Sequence, residues 1–116
     1  MINGVHAIVF SAEAEKVRTF FADVLDLPSV DAGGGWLIFA LPPAELAVHP
    51  AEDGSRHELY LMCDDIYATL AELRGKGVEV ARDVTDQGWG LLAAIRLPDG
   101  AEFPVYEPRH PSPLRH

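Results

Sequence analysis

The most constraining feature of this chain is an order of elements that occurs twice. Val5 to Phe10 is an apolar run with His6 inside it, which reads as a strand. Val17, Phe20, Phe21, Val24 and Leu25 then recur at helical spacing, with Glu13, Glu15, Lys16, Arg18 and Asp23 between them. That pattern is an amphipathic helix. Ser11 is placed to cap it, and Leu27-Pro28 stops it. After Gly33-Gly34-Gly35, strands are predicted over Trp36 to Leu41 and Glu45 to His49, with a short one near Ser29 to Asp31. The order then returns. Leu59 to Cys63 reads as a strand, and Asp64-Asp65 opens a helix carrying Ile66, Leu70 and Leu73 that ends at Gly75 and Gly77. Strands follow over Val78 to Val84, Leu91 to Leu97 and Phe103 to Tyr106. The expectation is an α+β domain of two βαβββ modules, about residues 1–52 and 56–108, with an extended tail over 108–116. Sequence identity between the halves is slight, so the repeat is one of architecture.

The chain has 116 residues, the size of one domain with a core of its own. The formal net charge of −9 argues against nucleic acid, because phosphate would be repelled. No apolar run approaches the roughly 20 residues of a membrane span, and the N-terminus has no signal-peptide pattern, so a cytoplasmic protein is expected. Cys63 is the only cysteine and falls in an apolar strand, where a thiol is inert. It rules out an intrachain disulfide and a Cys-based zinc site.

Two segments resemble the vicinal oxygen chelate superfamily, which includes glyoxalase I, extradiol dioxygenases and bleomycin-binding proteins. The first is Val5-His6-Ala7-Ile8 followed by Phe20-Phe21-Ala22-Asp23-Val24-Leu25-Asp26-Leu27-Pro28, similar to an "H…FY..vLGlp" opening. The second runs Leu59-Tyr60-Leu61-Met62-Cys63-Asp64-Asp65-Ile66 and on through Leu70 to Glu79. Leu97-Pro98-Asp99-Gly100 looks like a variant of the superfamily's "DPdG" turn. The resemblance implies a cup-shaped mixed sheet with helices on its convex side, and a homodimer. It also implies four positions for a divalent metal. The first falls on His6 and the fifth-strand position on Glu58, where histidine is usual. The fourth-strand position falls among Glu45, Ala47 and His49. The last falls on Pro104, which has no side-chain donor.

Strand alternation tests the cup independently, because residues two apart share a face. Glu58, Tyr60 and Met62 oppose Leu59, Leu61 and Cys63; Pro104 and Tyr106 oppose Phe103 and Val105; His6, Ile8 and Phe10 oppose Val5, Ala7 and Val9. One set is aliphatic or small, as where helices pack. The other mixes polar, aromatic and Met side chains, as in a binding cup. His6, Glu58, Tyr60, Met62 and Tyr106 are therefore expected to line one cavity, and Glu107 to point away from it. Trp36 and Trp89 follow glycines in loops and are candidate ligand platforms as well as candidate packing plugs. Arg96 could meet an anionic ligand, balance Glu58 or lie on the surface. No role falls to His110.

Three readings of the polar residues stay open. His6 and Glu58 could form a hydrogen-bonded pair in a cup without cofactor. With Glu45 or His49 they could make up the three ligands a catalytic divalent metal needs. Glu58 could also act alone as a general base, raised by an apolar wall. The functions left open are a small-molecule-binding protein, a metal-dependent lyase, isomerase or dioxygenase acting on a vicinal-oxygen substrate, and, apart from these readings of the polar residues, a ligand-free structural or regulatory dimer.

Overall fold

The computed structural model describes residues 6–45, 47 and 58–111. Helix α1 (Ala14–Asp23) comes first. It is followed by β1 (Ser29–Asp31) and β2 (Leu37–Phe39), which pair antiparallel as a two-stranded sheet. Then come β3 (Leu61–Met62), α2 (Ile66–Gly75), β4 (Val80–Asp86), β5 (Gly90–Arg96) and β6 (Glu102–Pro108). These four strands form one mixed sheet in the order β3-β6-β5-β4, with β3 parallel to β6 and the other pairs antiparallel. The fold is the expected α+β class, and the second half realises the full βαβββ order.

The local signals behind α2 act as their chemistry dictates. Asp65 caps it, its carboxylate accepting from the Ala68 N–H at 3.1 Å. Glu107 reaches across from β6 and accepts the Ile66 N–H at 3.0 Å. Gly77 takes φ +86°, and Val78 N–H returns to the Leu73 carbonyl at 3.0 Å, closing the C-terminus. Helix α1 is capped less directly. Ser11 lies one turn outside, accepting the Glu13 N–H at 3.1 Å while its hydroxyl donates to Asp99 in the turn before β6.

The core lies between the two helices and one face of the larger sheet. Ile66, Leu70 and Leu73 of α2, Val17 and Phe20 of α1, and Ala93, Ile95, Phe103 and Val105 of the sheet form one buried cluster. Phe21 joins the two sheets, its ring set edge-on to Phe39 at 5.8 Å and Phe103 at 5.9 Å. No helix among the described residues is long and apolar enough to cross a membrane.

One expectation fails outright. The described part of the first apolar run, residues 6–10, belongs to no strand. Ile8, Val9 and Phe10 are exposed, Phe10 at 89%. A run of this kind encodes which residues share a face. It becomes a strand only where a neighbouring edge supplies hydrogen bonds, and no described residue supplies them. The strand expected over Glu45 to His49 lies mostly outside the described residues, and Glu45 itself is not in a ladder.

Candidate functional site

Because Phe103 and Val105 are buried against the helices, Pro104 and Tyr106 point to the opposite face of β6. The same holds at β3, where Leu61 and Cys63 pack against the core and Tyr60 and Met62 turn away. Register completes this helix-free face. Met62 and Leu92 both stand opposite Tyr106, and Ala94 stands opposite Pro104. Glu107, out of phase by one, faces the helix side and caps α2, as alternation predicted.

Tyr106 is the centre of an aromatic cluster. Tyr60 and Trp89 each set a ring at 5.7 Å from its ring, at interplanar angles of 83° and 69°. These are edge-to-face contacts, an arrangement that aromatic pairs prefer. Trp89 is held by its loop between β4 and β5. Asp86 accepts the Gly88 N–H at 2.9 Å, and the Gln87 N–H donates to the Gly90 carbonyl at 2.9 Å. Gly90 is required by space, since a Cβ there would lie 2.7 Å from the Glu107 carbonyl oxygen.

Carboxylates flank the rings. The Tyr60 hydroxyl donates to Glu58 at 2.9 Å, and the Tyr106 hydroxyl donates to Glu45 at 3.4 Å. Burial and the adjacent Glu45 charge push the Tyr106 phenol above its ordinary range, so it keeps its proton and remains a donor. The Glu45 side chain is only 12% exposed, and its Oε1 also lies 2.8 Å from His110 Nε2. The His110 ring stacks on Tyr106 at 6.4 Å. Arg109, just before it, makes a two-point pair with Asp86 at 2.6 and 3.0 Å, and its N–H donates to the Trp89 carbonyl at 3.1 Å. The guanidinium and the Gly88 N–H hold the Asp86 carboxyl below the usual carboxylate range.

The structure thus brings together Tyr60, Tyr106, Trp89, Glu45 and Glu58, with Met62 beside them on the same face. His6 is exposed, and no hydrogen bond or ion pair joins it to Glu58 or to another described residue. Its place in a common cavity rested on the strand that does not form. Trp36 lies apart from the cluster, 65% exposed, with the Arg18 guanidinium 5.0 Å from its ring centre. Arg96 pairs with Glu79 and Glu102 rather than with Glu58. Cys63 donates weakly to the Tyr106 carbonyl, and burial pushes its thiol up, in keeping with an inert core thiol. His49 lies outside the described residues. Sequence reasoning missed Arg109 and His110. The signal was present, because alternation carried past Pro108 puts position 110 on the face of Tyr106.

A model of the Glyoxalase/Bleomycin resistance protein/Dioxygenase superfamily matches residues 5–105. The chain belongs to this superfamily. Among solved structures it is similar to TnmS3, an antibiotic binding protein from Streptomyces sp. CB03234, at 26% identity and a TM-score of 0.66, over 92% of this chain and 97% of that one. It is also similar to a superfamily member from Sphaerobacter thermophilus DSM 20745, at 24% identity and a TM-score of 0.62, over 91% and 98%. A lactoylglutathione lyase from Agrobacterium tumefaciens shares the fold at 14% identity and a TM-score of 0.65, over 90% and 92%. No curated protein matches the chain.

The divalent metal implied by the superfamily resemblance does not fit the described residues of this chain. No three His, Cys, Asp or Glu side chains among them converge on a point that could hold an ion. Glu58 is engaged by Tyr60, Glu45 by Tyr106 and His110, and the last ligand position is Pro104.

Proposed function

We propose that this protein binds a planar, cationic small molecule on the helix-free face of the β3-β6-β5-β4 sheet, as a binding rather than a catalytic domain. One observation carries the reading: three aromatic rings in edge contact, Tyr60, Tyr106 and Trp89, share that face with the carboxylates of Glu45 and Glu58. Aromatic faces beside a low-exposure carboxylate favour a flat cation, through stacking and cation–π attraction. The net charge of −9 adds a field of the same sign. The likeness to an antibiotic-binding protein supports a small-molecule ligand. Met62 would supply a soft apolar floor. His6 and Trp36 join the site only if the first apolar run is carried over this face.

The test is a titration of tryptophan fluorescence with a panel of planar aromatic antibiotics, cationic and neutral. Cationic members are expected to bind more tightly, and Tyr106→Ala to weaken binding by about tenfold or more, on the order of one lost stacking contact. No response to any member, or equal affinity for neutral analogues, would overturn the reading.

We also propose that the protein works as a homodimer. The support is the apolar surface of the first half, where Ile8, Phe10, Val30, Trp36 and Ile38 are all exposed, more than scattered surface residues account for. Light scattering should return twice the chain mass.

A further inference from the structure

We propose that Arg109 and His110 form a latch that closes over the aromatic cluster and competes with the ligand for it. The inference rests on the cup reading above and adds to it a device built into the chain. Past β6 the backbone stays on the sheet, because Arg109 fastens it at three points: two to the Asp86 carboxylate and one to the Trp89 carbonyl. A two-point guanidinium–carboxylate pair fixes direction as well as distance. The direction is toward the aromatic cluster. His110 sets its ring beside that of Tyr106, centroids 6.4 Å apart and 30° from parallel, and presents Nε2 to Glu45 at 2.8 Å. A planar cationic ligand would need that carboxylate and the space against the Tyr106 ring. His110 is therefore an internal occupant. Asp86 connects latch and site, since it also shapes the loop that carries Trp89. Opening the latch removes the His110 contacts from Tyr106 and Glu45 together.

A closed latch lowers apparent affinity by the fraction of open molecules. His110→Ala should therefore bind a planar cation about tenfold more tightly than the natural protein. Arg109→Ala, which removes the two contacts to Asp86 but keeps the backbone N–H to Trp89 and the His110 side chain, should gain less. The probe is 1,3-dimethylbenzimidazolium, a planar cation, titrated by calorimetry into the full chain and into each variant. A second readout follows the ring protons of His110 by NMR. Held between Tyr106 and Glu45, they should resonate away from the position of an exposed histidine in the free protein, and saturating probe should return them to it.

The latch is overturned if His110→Ala binds the probe no more tightly than the natural protein. It is also overturned if the probe saturates the natural protein while the His110 resonances stay where they were. If neither the natural protein nor any variant binds the probe, the cup reading itself falls and the latch falls with it. Tighter binding by His110→Ala together with displacement of the His110 ring supports both.

Discussion

Residues 58–108 bury Ile66, Leu70, Leu73, Val78, Ala93, Ala94, Ile95, Leu97, Phe103 and Val105, whereas residues 6–45 bury only Val17 and Phe20. The first half is not less apolar. It leaves Ile8, Val9, Phe10, Val30, Trp36, Ile38 and Leu41 exposed. The second half has a sheet wide enough for a helix to cover, so its alternating residues have somewhere to go. The first half has two three-residue strands, and a third apolar segment without a ladder. A pattern of faces needs a partner surface before it becomes packing, and only the second half contains its own.

The largest expected effect comes from exchanging one residue in each half. Ile66 is 0% exposed, and Ile66→Ala should cost about 2–5 kcal/mol, through lost transfer energy and the cavity left behind. Phe10→Ala should cost no more than about 0.5 kcal/mol in dilute solution, as for other surface changes. Its effect should appear in self-association, with light scattering shifted toward the single chain. Urea unfolding at several protein concentrations measures both. Equal losses in dilute solution would break the comparison, because Phe10 would then be packed within its own chain.

The same contrast sets what could be read from sequence. The cap at Asp65, the stop at Gly77 and the alternation of Tyr60 against Leu61 and Tyr106 against Val105 were legible, because each depends on near neighbours and on a core the half supplies itself. The placement of Glu107 on the helix side followed from the same alternation. The strand expected over Val5 to Phe10 did not follow, because its neighbour is not encoded in its own residues. His110 was missed for the opposite reason. Its segment carries prolines and no apolar pattern, so alternation, which does put position 110 on the face of Tyr106, is not expected to continue past Pro108, and it is the contacts of Arg109 with Asp86 and the Trp89 carbonyl that keep it there. A site made of contacts between residues 45, 60, 89, 106 and 110 is a property of the tertiary fold.

Backbone demands separate the halves on a smaller scale. Gly90 in the second half is constrained by space, with a Cβ meeting the Glu107 carbonyl oxygen at 2.7 Å. Gly34 in the first half has nothing within 4 Å of an added Cβ, but its φ is +61°. Gly90→Ala must push two paired strands apart and should cost about 1–3 kcal/mol, as overpacking does. It should also weaken probe binding, since the Trp89 loop is anchored there. Gly34→Ala meets only the left-handed penalty, about 1 kcal/mol, and should leave probe binding unchanged. Thermal unfolding of the two variants, each paired with a calorimetric titration, makes the measurement. A larger loss at Gly34 would place a packed surface over the glycine loop and remove the distinction.

The smallest effect is expected at Asp26, where the first half touches the second. Asp26 has φ +56° and no glycine to take the strain. Lys76, from the end of α2, donates to the Val24 carbonyl at 2.9 Å and reaches the Asp26 carboxylate at 3.4 Å. Asp26→Gly removes the left-handed penalty, but it also removes an exposed ion pair worth a few tenths of a kcal/mol and loosens the unfolded chain. These terms nearly cancel, and stability should stay within about 0.5 kcal/mol of the natural protein. Asp26→Val keeps a branched Cβ at the same φ and should lose about 1–2 kcal/mol. If the glycine variant loses as much as the valine variant, the backbone is not what matters at this position. The Lys76 bridge would then be a working joint between the halves, and the first half would depend on the second for more than the core contacts of α1 and the Ser11–Asp99 hydrogen bond.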